Sequence, residues 1–138
     1  MTGKFEHSLD TAGRLIVPSK LREKLGKNFY VAVGVKENLT LFPLSTWQKL
    51  KDRVANLTTT QAAAMDIFFA AAQECEADKQ WRFQIPTMLK DYAKIDRDVV
   101  ITGNNDRAQI WSADKWQART AESLNPETIG SLMDALGI

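Results

Sequence analysis

The sequence predicts an α+β fold built from two tandem β-hairpin/helix units that complete one core, with flanking helices. Three observations carry this. Asp10-Thr-Ala-Gly-Arg14-Leu-Ile-Val-Pro18 returns as Asp78-Lys-Gln-Trp-Arg82-Phe-Gln-Ile-Pro86, 68 positions later, and a repeated supersecondary unit seldom buries its apolar face alone. The match also extends outward, pairing Glu6 with Glu74, Leu21 with Leu89, Arg22 with Lys90 and Val31 with Val99. One inserted residue then shifts the offset to 69, pairing Gly34 with Gly103, Leu41-Phe42 with Ile110-Trp111, and Trp47-Gln48 with Trp116-Gln117. Finally, 44% apolar and 25% charged residues in a chain of 138 describe a globular protein with a sizeable core. The units fall at 1–47 and 73–116, joined by helices over 48–72 and followed by a helical tail over 117–138.

Each unit opens with an extended segment, Lys4 to Leu9 or Gln73 to Ala77. The turn Asp10-Thr-Ala-Gly13 follows, glycine supplying positive φ, and Leu15-Ile16-Val17 forms a strand that Pro18 ends. Ser19 to Leu25 reads as a short helix stopped at Gly26, with Thr87 to Ile95 as its counterpart. Further strands are expected at Phe29 to Gly34, Leu39 to Phe42, Asp98 to Thr102 and Ala108 to Trp111. Ser45 and Asp114 stand where N-caps are wanted, and Trp47, Leu50, Val54 and Leu57 form one apolar helical stripe. Thr59 to Ala72 reads as one Ala-rich helix whose apolar surface points to burial between subunits. Asn125 and Pro126 begin a last amphipathic helix running through Leu136.

Composition narrows the function. The single cysteine, Cys75, excludes an intrachain disulfide framework and, beside Glu74 and Glu76, is disfavoured as a thiolate, which suits a reducing cytoplasm. The start, Met-Thr-Gly-Lys-Phe-Glu-His, lacks the apolar run of a signal peptide, and no segment reaches the roughly 18 apolar residues of a membrane span. With one histidine and no nucleophile elbow, phosphate-binding glycine loop or Cys/His metal spacing, no enzyme, metal site or cofactor is expected. Residues 1–45 hold seven Lys or Arg against four Asp or Glu, whereas residues 73–118 hold seven against eight. Basic charge therefore concentrates in the first copy, and a ring of identical subunits would multiply a modest patch.

The residues quoted resemble the MraZ family of bacterial transcriptional regulators, whose chains contain two tandem AbrB-like (SpoVT-AbrB) units. The specific elements are Asp10-x-x-Gly-Arg14-x-x-x-Pro18, the run from Phe68-Phe69 through Glu74-Cys75-Glu76 to Arg82, and the paired Leu-Phe-Pro-Leu-x-x-Trp47 and Ile-Trp-x-x-x-Lys-Trp116. The resemblance implies a pseudo-symmetric swapped-hairpin barrel made from both copies, and assembly into a ring-like homo-oligomer. It also implies sequence-specific binding of double-stranded DNA at short promoter direct repeats, upstream of the division and cell-wall gene cluster. Such a protein works in the cytoplasm on the nucleoid, without membrane or small-molecule substrate. An AbrB-like antitoxin, or an assembly module that has lost DNA binding, is the rival reading. Trp81 departs from the family, whose second copy usually reads Asp-Lys-Gln-Gly-Arg, and Phe83-Gln84 stands where two aliphatics are usual. A tryptophan held at positive φ costs about 1–2 kcal/mol, which points to a second turn of altered shape.

The DNA-facing candidates are Arg14, Arg82, Arg22, Lys20, Lys4, His7, Lys79 and Lys90, joined by Lys24 and Lys27. Arginine forks onto guanine O6 and N7, and paired strands can enter a major groove, so Arg14 carries the sharpest expectation. Its competing role is structural, since Asp10 with Arg14 and Asp78 with Arg82 flank the same turn, with Gly13 as a further turn former. The recurring aromatics Phe42, Trp47, Trp111 and Trp116 read as core or subunit contacts, whereas unmatched Trp81 reads as a possible exposed wedge at a turn tip.

Overall fold

The Asp10 turn reverses the chain, yet the strands on either side of it do not pair with each other. In the computed structural model, which describes residues 1–138, β1 (Lys4–Ser8) leaves its own unit and pairs antiparallel with β7 (Asp98–Asn104). β5 (Gln73–Glu76) does the converse with β3 (Asn28–Val33). With β4 (Leu39–Pro43) and β8 (Arg107–Ser112) they form a six-stranded sheet of order β1-β7-β8-β4-β3-β5. That order matches itself from either end, so an internal two-fold passes between β8 and β4. β2 (Arg14–Ile16) and β6 (Arg82–Gln84), one from each unit, form a separate antiparallel ribbon with Leu15 opposite Phe83. The hairpins are thus swapped between copies, as a sheet of six and a ribbon of two.

Successive strand residues face opposite sides. Leu15, Val17, Phe83 and Ile85 point inward from the ribbon segments and share one apolar cluster with Phe29, Val31, Ile101 and Ile110 of the sheet. Phe29 and Phe83 meet edge to face, with ring centres 5.0 Å apart. Leu21 and Leu25, from a 3-10 turn (Ser19–Leu21) and α1 (Arg22–Leu25), and Leu89 of α5 (Thr87–Tyr92) complete this core. Ile16 and Gln84 remain outside.

The register corrects two of the expected matches between copies. Phe5 faces Ile101 while its counterpart Gln73 faces Val31, so Val31 corresponds to Ile101, not to Val99. Likewise Val33 pairs with Leu39 and Gly103 with Ala108, which makes Gly103 the partner of Val33, not of Gly34. Two extra residues lie before β7 and one fewer in the turn after it. A two-residue shift preserves strand alternation, so side-chain pattern could not detect it.

The helices differ from expectation at their ends. α2 (Leu44–Ala55) starts directly from Pro43 without a side-chain cap, so Ser45 lies inside it. α6 (Ala113–Ser123) is capped by Ser112, whose Oγ accepts from the Lys115 N–H at 3.1 Å, while Asp114 sits in the first turn. Both strands run into their helices without a loop, so each helix begins earlier. The expected Thr59 to Ala72 helix breaks at Met65 into α3 (Thr59–Ala64) and α4 (Asp66–Ala71), α3 opening with a capping box of Thr58 and Gln61. Its aromatic side chains do not wait for another subunit: Phe68 and Phe69 pack on Trp47, which also stacks on Tyr30 at 4.3 Å. Of its large apolar side chains, Ile67 stays largely exposed. Thr87 to Ile95 shortens to α5, the left-handed Lys94 at φ 55° ending it. α7 (Pro126–Leu136) is capped by Asn125 as expected. No helix is long and apolar enough to cross a membrane.

Candidate nucleic-acid interface

The two Asp–Arg turns have one geometry. Asp10 Oδ1 accepts from the Ala12 and Arg14 N–H groups at 2.9 and 2.8 Å, and Oδ2 accepts from Arg14 Nε at 2.8 Å. Asp78 repeats this with Gln80 and Arg82, at 2.9, 2.9 and 2.8 Å. Each turn closes with matched main-chain bonds, Gly13 N–H to Asp10 O and Trp81 N–H to Asp78 O, both 2.9 Å. The N–H groups of Arg14 and Arg82, led by the backbone ones, hold the two aspartates below the usual carboxylate range. Bracing and display are therefore not exclusive. The aspartate engages only Nε, which fixes each guanidinium plane and leaves the terminal N–H groups without a partner in the chain.

The ribbon presents both arginines together. Arg14 lies opposite Gln84, and Ile16 opposite Arg82. Since Leu15 and Phe83 point inward, the outer face carries Arg14, Ile16, Arg82 and Gln84. Gln84 Nε2 donates to the Ala12 carbonyl at 2.8 Å, so the second copy holds the tip of the first turn. In the sequence Gln84 is only an irregularity in an apolar run, because its partner across the ribbon is set by tertiary structure.

Trp81 corrects the expectation of an altered turn. It adopts φ 61° where Gly13 has φ 79°, and the hydrogen bonds are unchanged. Nor is it an exposed wedge. The ring packs against the main core, half-buried, with the Arg22 guanidinium and the Lys27 ammonium 5.3 and 4.8 Å from its centre. A strain of about 1–2 kcal/mol is offset by two cation–π contacts, each about 0.5–1 kcal/mol. Arg22 Nε also donates to the Val17 carbonyl at 3.0 Å, and Lys27 Nζ to that of Asp78 at 3.3 Å. These two candidates are thus joined to the second turn.

The other candidates are spread more widely. Lys79 stands exposed at the tip of the second turn, Lys20 on the 3-10 turn and Lys24 on α1. Lys4, paired with Glu6 at 3.5 Å, and His7 line a separate cleft between β1 and α6, beside Asp98 and Trp116. Lys90 is half-buried beside the first turn together with Arg97, a residue the sequence reading missed. Arg97 precedes β7 as Lys27 precedes β3, but the two-residue insertion hides that equivalence. Trp47, Phe42 and Trp111 are buried, whereas Trp116 is half-buried, leaning on Trp111 at 5.7 Å at the edge of the cleft. Burial and the neighbouring Glu74 carboxylate push the Cys75 thiol up to about 11. No three His, Cys, Asp or Glu side chains converge as metal ligands.

A duplicated α+β protein with swapped hairpins, displaying an aspartate-braced arginine from each copy on one ribbon, is the class that fold and site define. Two successive matches to a single family, described as "MraZ protein, putative antitoxin-like", cover residues 1–67 and 68–129. The chain belongs to the MraZ family. It is 44% identical over 117 residues to the Transcriptional regulator MraZ of Natranaerobius thermophilus, covering 83% of this chain and 82% of that protein. The proteins of the same name from Lactiplantibacillus plantarum and Caldicellulosiruptor saccharolyticus are 42% and 39% identical; the second alignment spans 100% of this chain and 99% of that one.

Proposed function

We propose that this chain is a sequence-specific DNA-binding transcriptional regulator that reads duplex DNA with the outer face of the β2–β6 ribbon. The pair of identically braced arginines on that ribbon carries the reading. A two-stranded ribbon fits a major groove, and a guanidinium anchored through Nε keeps its fork free for guanine O6 and N7. Lys20, Lys79 and Lys90 supply phosphate contacts, with Lys4 and His7 at the edge of the footprint. The name borne by the relatives supports regulation of transcription. In this reading the protein works on the nucleoid in the cytoplasm as a ring-like homo-oligomer, its subunits engaging successive promoter direct repeats before the division and cell-wall genes. The apolar face of α7, with Ile129, Leu132 and Leu136 unburied, offers surface for such assembly.

Fluorescence-anisotropy titration of the full chain on DNA from its own upstream region tests this. One guanine fork is worth about 1–3 kcal/mol, so Arg14→Ala and Arg82→Ala should each lower affinity for the preferred site by roughly 5- to 150-fold. Affinity for scrambled DNA should fall less. Absent or salt-insensitive binding by the wild type would sink the proposal, because phosphate-dominated binding must weaken as salt rises.

A further inference from the structure

The two turns share a geometry but not a neighbourhood. On the second, the Trp81 indole occupies the space beside Arg22 and Lys27. The internal two-fold carries Trp81 onto Gly13 and Arg22 onto Lys90. It carries Lys27 onto Arg97, because the Ala77 N–H donates to the Lys27 carbonyl at 2.7 Å just as the Leu9 N–H donates to that of Arg97 at 2.9 Å. On the first turn, therefore, no aromatic ring lies beside the equivalent cations. An open recess of about 520 Å³ lies there, lined by Lys90, Arg97 and Asp96 against the Asp10 to Gly13 turn.

Its charges are available. Neither Lys90 nor Arg97 takes part in an ion pair or lies over an aromatic ring. Asp10 is committed to Arg14 and its own turn, so Asp96 is the one acidic group left to offset the two cations. Gly13 can carry no side chain toward these cations, since a Cβ there would meet Gln84 Nε2 at 2.9 Å. An arginine fork and a lysine point charge converging on one open site suit a tetrahedral phosphate. Arg14 follows Gly13 directly in the chain, so an anion held here lies next to the ribbon's reading residue.

We propose that this recess seats a backbone phosphate of the duplex, gripped by Lys90 and Arg97, and that Trp81 withdraws the equivalent cations Arg22 and Lys27 from DNA. The DNA face is then asymmetric, and the second copy supplies the phosphate grip beside the first copy's turn. This rests on the DNA-binding reading above, and the salt dependence of affinity separates the two. Each lost phosphate contact lowers the slope of log affinity against log salt by about 1. Lys90→Gln and Arg97→Gln should each show that loss on specific and scrambled duplexes alike, whereas Arg22→Gln and Lys27→Gln should keep the wild-type slope. Trp81→Gly, which releases both first-copy cations, should steepen the slope, and Trp81→Phe, which keeps a ring beneath them, should not. Wild-type binding with unchanged slopes in Lys90→Gln and Arg97→Gln overturns this inference alone; no wild-type binding overturns the DNA-binding reading and this inference with it. Inorganic phosphate titrated against the wild type should shift the Thr11 and Arg97 amide resonances. Such a shift alongside unchanged DNA slopes would mark a free-anion site and also overturn the proposal.

Discussion

Replacing Trp81 with glycine separates backbone strain from side-chain contact at the second turn. The change releases a left-handed tryptophan at φ 61°, a relief of about 1–2 kcal/mol. Against this, glycine in the unfolded chain costs about 0.5–1 kcal/mol in backbone entropy. Two half-exposed cation–π contacts with Arg22 and Lys27 are worth about 0.5–1 kcal/mol each. Truncating a fully buried tryptophan costs about 3–5 kcal/mol, so the half-buried indole forfeits about 2 kcal/mol of packing. Trp81→Gly should therefore destabilise the fold by about 3 kcal/mol in net, a clear but survivable fraction of a stability of about 5–15 kcal/mol. Urea denaturation followed by circular dichroism, at one fixed protein concentration, measures the difference. Trp81→Phe should fall between wild type and glycine. A glycine variant as stable as the wild type, or more stable, would refute the reasoning, because strain relief would then outweigh everything the indole touches.

Two further outcomes follow from the ribbon and its turns. Phe83→Ala empties a ring that is 3% exposed and edge-on to Phe29, so it should cost about 3–5 kcal/mol; Ile16→Ala on the outer face should stay within about 0.5 kcal/mol. Equal losses in chemical denaturation would mean that the buried face of the ribbon is misassigned. Asp10 and Asp78 are depressed chiefly by the backbone N–H groups of Arg14 and Arg82, with burial opposing. A depressed carboxylate stabilises the fold above its unfolded value of about 3.9, and that stability is lost as pH falls through the lower folded value. The pair Asp10→Asn and Asp78→Asn should thus flatten the acid limb of a stability–pH curve below about pH 4, leaving the share owed to Glu37 and Asp106, which are also depressed. An acid limb as steep as the wild type's would show that the turn aspartates lack this role.

Much of the fold was legible because local chemistry and tertiary structure agree. Gly26 at φ 78° ends α1, and Asn125 with Pro126 starts α7, because caps and positive φ are properties of single residues and their immediate neighbours. Helix starts at Leu44 and Ala113 were misplaced because strands passing straight into helices leave no loop for a cap to mark. The site divides in the same way. Asp10 with Arg14 and Asp78 with Arg82 were visible as a repeated spacing, whereas Arg97 and Gln84 act across the internal two-fold and leave no local signal.

By itself, the sequence determined the duplication, the family, most of the strands and the turn-flanking aspartate and arginine of each copy, all of which rest on short local patterns in the chain. Only the tertiary structure decided that β1 pairs with β7 and β3 with β5, that both arginines share one ribbon, and that Trp81 keeps the glycine-like turn. Strand alternation repeats every two residues and so tolerates the two-residue insertion before β7, leaving partner and register open. Trp81 can hold positive φ because Arg22, Lys27 and the main core meet around its indole. That surrounding exists only after the two copies have exchanged strands.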